Sequence, residues 1–109
     1  MNRVSIYFLL PLIMLTAQMS AGESTIPVER QKNLRHLVKH DCGSCHGMSL
    51  EGGLGPSLKP ERISRFNTQQ LATTILYGRP GTPMPPWRPF FTDAEATWLA
   101  TSLMKGELP

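Results

Sequence analysis

Little in this sequence can hold a small domain together unaided. Aromatic residues are 7% of the 109 and apolar residues 40%, while ten prolines and nine glycines imply long loops, so the apolar surface is too scanty to offset the entropy of ordering the chain. Domains of this size commonly recruit disulfides, a metal or a bulky cofactor. With only two cysteines, their spacing rather than their number decides among these. No repeat, low-complexity tract or convincing strand pattern is present, which leaves helices and loops. The longest early apolar run, Ile6 to Leu15, falls short of the ~20 residues a membrane helix needs. A large excess of charge of one sign is missing too, so nothing argues for nucleic-acid binding.

What is present begins with an export signal. Arg3 precedes the apolar run, and no charge occurs from Val4 to Gly22. The expected organisation is a cleavable segment 1–22, cut after Ala21 or Gly22, and a single domain 23–109 with no stable membrane insertion. Removing the segment takes away one of eleven basic residues and none of eight acidic ones, leaving a net charge of +2. The only cysteines lie far downstream, so no lipid anchor is expected.

Along residues 23–109 the pattern is all-α, with three or four helices. Pro27 opens a helix to about His40, with Leu34, Leu37, Val38 and Cys42 on one face. Asp41 to Pro60 is broken by five glycines and two prolines and reads as an irregular loop. Asn67 and Gln70 mark a helix start, Leu71, Ala72, Ile75 and Leu76 its apolar face, and Gly78 its end. Five prolines from Arg79 to Pro89 require an extended loop. Thr92 and Glu95 form a capping box for a last helix carrying Ala96, Leu99, Ala100 and Leu103, ending at Gly106.

The chemistry sits at Cys42-Gly43-Ser44-Cys45-His46, a C-x-x-C-H motif in which two thiols add across the vinyl groups of one haem and the adjacent histidine faces the iron. A closed zinc site would need further ligands, and the chain offers only His36 and His40. A thioredoxin-like use of the cysteines would need strands that are missing. A ligating imidazole usually donates its other N–H to a carbonyl, and the backbone of Pro56 in Gly55-Pro56 is the candidate acceptor. For the second axial position Met84, between Pro83 and Pro85, is the expected thioether ligand. Met48 lies too close to His46 in sequence, Met104 falls in the last helix, and His36 and His40 are expected on the surface.

The order of C-x-x-C-H, Gly55-Pro56, Ile75-Leu76-Tyr77-Gly78, Met84-Pro85 and a terminal amphipathic helix resembles class I cytochrome c across nearly all of residues 23–109. That resemblance implies a small fold whose first and last helices cross, with Leu37 or Val38 near Leu99 or Trp98, around one covalent haem c. Cys45-His46-Gly47-Met48, Gly52-Gly53-Leu54-Gly55-Pro56 and Tyr77-Gly78-Arg79-Pro80-Gly81-Thr82 are also similar to the small periplasmic cytochromes encoded beside cd-type nitrite reductases. The resemblance implies a monomeric electron carrier with redox partner proteins, cd-type nitrite reductase among them, or a helper in maturation of that enzyme's haem d.

With two strong axial ligands the iron has no open position for substrate, so the expectation is a carrier and not an enzyme. An iron left open would instead suit an enzyme or gas sensor. Electrons are expected to pass near Gly43, Ser44 and the Met84 loop, and Arg79 and Arg88 either steer a partner or pair with a haem propionate.

Overall fold

The computed structural model describes residues 25–109, so the expected export segment lies outside the described residues. Helix α1 (Val28–Leu37) starts directly after Pro27, whose fixed φ of −56° and extended ψ of 145° place it at the cap, one residue ahead of the predicted first helical position. Glu29 in the first turn complements the helix dipole. The chain then widens into a π turn (Val38–Cys42) and continues as α2 (Gly43–His46). The helix therefore runs past His40 through the whole C-x-x-C-H motif, where an irregular loop was predicted. Gly43, read as a breaker, adopts helical angles of −62° and −23° and is buried. The break comes at Gly47, with φ of 86°.

Residues 47–59 fold back over α2. The Gly52 N–H donates to the His46 carbonyl at 2.8 Å and the Gly55 N–H to the Cys45 carbonyl at 2.7 Å. Leu50 is fully buried here despite a φ of 61°, a conformation costing a side-chain-bearing residue roughly 1–2 kcal/mol. Burying a leucine returns about as much or more. Pro60, read as part of the loop, instead starts the short α3 (Pro60–Ile63). Helix α4 (Thr68–Tyr77) has the predicted Asn67/Gln70 capping box, closed by reciprocal bonds of 2.8 and 2.9 Å, and stops at Gly78. Helix α5 (Asp93–Met104) has the Thr92/Glu95 box, at 3.0 and 3.1 Å, and Gly106 follows it with φ of 71°.

One core joins these elements: Leu34 and Val38 from the first helix, Leu50, Ile63, Ala72 and Leu76, and Ala96, Leu99, Ala100 and Leu103 of α5. The expected meeting of first and last helices is present. Val38 and Leu99 share this core, Leu37 lies at its margin, and Trp98 lies under the Arg35 guanidinium, 5.4 Å from the ring centroid. Arg30 also grips Glu95, with Nε 2.6 Å from Oε1. That bond holds the Glu95 carboxyl below the usual carboxylate range. Glu95 thereby caps α5 and ties it to α1. Among the described residues no strand occurs, and no helix is long and apolar enough to cross a membrane.

Candidate functional site

A cavity of about 580 Å³ lies between α2, the 54–58 loop, α4 and the proline-rich loop, and Cys42, Cys45, His46, Pro56 and Met84 all line it. The two cysteines form no disulfide. Cys42 is mostly buried, and burial first, then the Asp41 carboxylate, pushes its thiol up to about 11. Cys45 is exposed at the rim. The two stand on the π turn and α2, one helical turn apart, with His46 as the last residue of that helix.

His46 is oriented by the predicted partner: its Nδ1 lies 2.7 Å from the Pro56 carbonyl. A carbonyl only accepts, so Nδ1 carries the proton and Nε2 keeps the lone pair free to ligate. Gly55 makes the approach possible. A Cβ there would sit 2.8 Å from His46 Cε1 and Nδ1, closer than side chains tolerate.

Met84 is set by its loop. The Arg79 N–H donates to the Met84 carbonyl at 3.2 Å, and Thr82 donates to the Arg79 carbonyl through its N–H at 3.0 Å and its hydroxyl at 2.7 Å. The following residues are tied to α4 by Trp87 N–H to Ile75 O, 3.1 Å, and Arg88 N–H to Leu76 O, 3.0 Å. Gly78 lies against this loop with φ of 67°, and a Cβ there would meet the Met84 carbonyl at 2.6 Å. Among the described residues Met84 is the only methionine and His46 the only histidine on the cavity wall. Met48 is exposed, and the Met104 sulfur accepts from the Thr68 hydroxyl at 3.5 Å.

Two parts of the sequence reading change. Arg88 is absent from the cavity wall: it pairs with Asp93 and lies over Tyr77, 5.8 Å from the ring centroid. Gly43 is buried, so the exposed part of the motif is Ser44 and Cys45. Arg79 does line the cavity, joined by Arg62 and Arg65, which the sequence reading passed over. None of these three has a carboxylate partner among the described residues, whereas Arg30 and Arg88 both do. The available signal was their spacing of three around Ile63, which puts them on one side of a short turn.

Residues 29–101 match the family described as cytochrome c oxidase, cbb3-type, subunit III. The chain belongs to this cytochrome family. A protein of Pseudomonas aeruginosa named cytochrome c55X is 51% identical over 79 residues, 72% of this chain and 66% of that protein's length. The solved structure of a c-type cytochrome NirC superposes with a TM-score of 0.75 at 48% identity, covering 77% of this chain and all of the other. A structure of the dihydro-heme d1 dehydrogenase NirN in complex with DHE aligns with a TM-score of 0.60 at 38% identity, covering 68% of this chain and 16% of the larger one. The cytochrome has the all-α class I fold and one covalently bound haem c, and its role is electron transfer. The cavity's residues fit that group: two cysteines outside any disulfide, an imidazole held in one tautomer, a thioether and, among the described residues, three guanidiniums without a carboxylate partner about an otherwise largely apolar wall.

Proposed function

We propose that this cytochrome is exported to the periplasm after loss of residues 1–22 and carries electrons to a cd-type nitrite reductase. Cys42 and Cys45 would hold the haem covalently, and His46 and Met84 would ligate its iron. The observation that carries the reading is the convergence of these four side chains, from two segments about forty residues apart, on one cavity. When bound, haem c supplies an iron that cycles between ferric and ferrous states.

The protein's own residues do the rest. The Pro56 carbonyl draws on the His46 Nδ1–H and raises the basicity of Nε2. Pro83 and Pro85 restrict the Met84 loop, so the thioether is placed ahead of any change of oxidation state and reorganisation is small. Arg62, Arg65 and Arg79, on the cavity wall, would offset the two propionate charges. Leu54, 96% exposed, stands at the cavity rim with Cys45 and Pro83, and together they offer a small apolar contact for a brief encounter. Mixing the reduced holo-protein with oxidised cd-type nitrite reductase tests the assignment. Re-oxidation within milliseconds to seconds is expected, and absence of reaction overturns it.

The likeness to a domain of dihydro-heme d1 dehydrogenase favours a second reading, in which the cytochrome exchanges electrons with a haem d maturation enzyme. Deleting the gene separates the two. A nitrite reductase lacking haem d supports the maturation role, and a complete enzyme starved of electrons supports the carrier.

A further inference from the structure

His36 and His40 take no part in the cavity. They project from the solvent side of the first helix, both exposed, with ring centroids 4.3 Å apart and planes tilted by 44°. Neither ring makes a hydrogen bond or ion pair with another described residue. Their closeness has a local cause. Histidines four apart on a regular α-helix already share a face, and the π turn that begins at Val38, with its i→i+5 bonding, advances less per residue and brings residue 40 more nearly over residue 36. Such turns recur at functional sites in helices. The neighbouring cations are mostly engaged: Lys32 with Glu29 and Arg35 with Trp98 and the Glu107 carbonyl, leaving Lys39 as the nearest free one along the chain.

We infer that His36 and His40 form a second metal site, separate from the haem, that chelates a divalent ion of the zinc, copper or nickel class. Two imidazoles one turn apart on a helix face are a bidentate donor set for these ions, which imidazole nitrogen suits better than it does calcium or magnesium. No third histidine, cysteine, aspartate or glutamate joins them among the described residues, so water fills the remaining positions. The inference is independent of which residues ligate the haem iron.

Zinc is the suitable probe, being inert to the haem's redox state. Calorimetric titration of Zn²⁺ into the reduced holo-protein is expected to give one ion per chain, and proton NMR of the diamagnetic ferrous form should show the ring resonances of His36 and His40 moving together. H36Q and H40Q should each weaken binding tenfold or more, with haem absorption and helix content unchanged. The absence of saturable binding to the unaltered protein would overturn the site, as would a doubly substituted H36Q/H40Q protein that binds zinc as before.

Discussion

At the scale of single residues, the hydrogen bond from His46 Nδ1–H to Pro56 and the vacancy of a side chain at Gly55 are one device, since the imidazole reaches the carbonyl only where no Cβ intervenes. Gly55→Ala should therefore displace the ring, destabilise the fold by about 1–3 kcal/mol as overpacking does, and raise the midpoint potential, because an imidazole that loses the Pro56 bond is a weaker donor to ferric iron. Denaturant titration and potentiometry would check both. A variant with unchanged potential would mean that the ring does not need this geometry. Met84→Ala removes the thioether while Cys42, Cys45 and His46 are untouched. The expected product keeps its covalent haem, becomes high-spin or water-ligated, binds carbon monoxide when reduced, and has a lower potential. Persistence of the sulfur-to-iron charge-transfer band in that variant would point to Met48 or Met104. Both residues, which the structure puts on the cavity wall, stand out in the sequence because a histidine after C-x-x-C and a methionine between prolines are local patterns. Arg62 and Arg65 were not, because their importance depends on facing a cavity that no local pattern describes.

At the scale of elements, the capping boxes at Asn67/Gln70 and Thr92/Glu95 were readable because a cap is made by residues three apart. The tie from Arg30 to Glu95 was not readable, since 65 residues separate the partners. Glu95→Gln isolates this tie, because glutamine can still serve the capping box but cannot form an ion pair. The loss should be about 0.5–1 kcal/mol, modest because the Arg30 side chain is about one-third exposed and screened by solvent. The sign with pH follows from the lowered Glu95 carboxyl. Its contribution is complete above the ordinary carboxylate range and is lost as pH falls through the depressed value. Melting temperatures of the two proteins should thus differ by a constant amount at neutral pH and converge below about pH 4. A difference that persists in acid would assign it to packing instead. The end of the first helix was misjudged for the opposite reason: Gly43 reads as a breaker locally, but its buried place beneath the 47–59 loop keeps it helical.

At the scale of the whole molecule, a cavity of about 580 Å³ lies against the core, with Val38, Ile63, Phe91, Leu99 and Leu103 belonging to both. Without the haem the largely apolar wall of that cavity would face water, and the burial lost would weigh heavily against the roughly 5–15 kcal/mol that stabilises a whole domain. The chain without its haem is therefore expected to be largely unfolded. Circular dichroism of a variant with Cys42→Ala and Cys45→Ala, expressed without haem, would check this, and native-like helicity with a cooperative melt would show that helix contacts alone suffice. Scarcity of aromatic and apolar residues points the same way, since it is a property of composition and needs no knowledge of which residues meet.

The sequence by itself determined whatever rests on neighbours in the chain: the C-x-x-C-H motif, the two capping boxes, the stop at Gly78 and the stiff loop around Met84. Only the tertiary structure decided that the first helix continues through His46, that Arg62 and Arg65 join Arg79 at the cavity while Arg88 turns away to Asp93, and that α1 is pinned to α5 through Glu95. The physical reason is the range of the interactions. Caps, turns and covalent attachment are satisfied within a few residues, whereas burial and ion pairing across the fold depend on which distant surfaces the chain brings together.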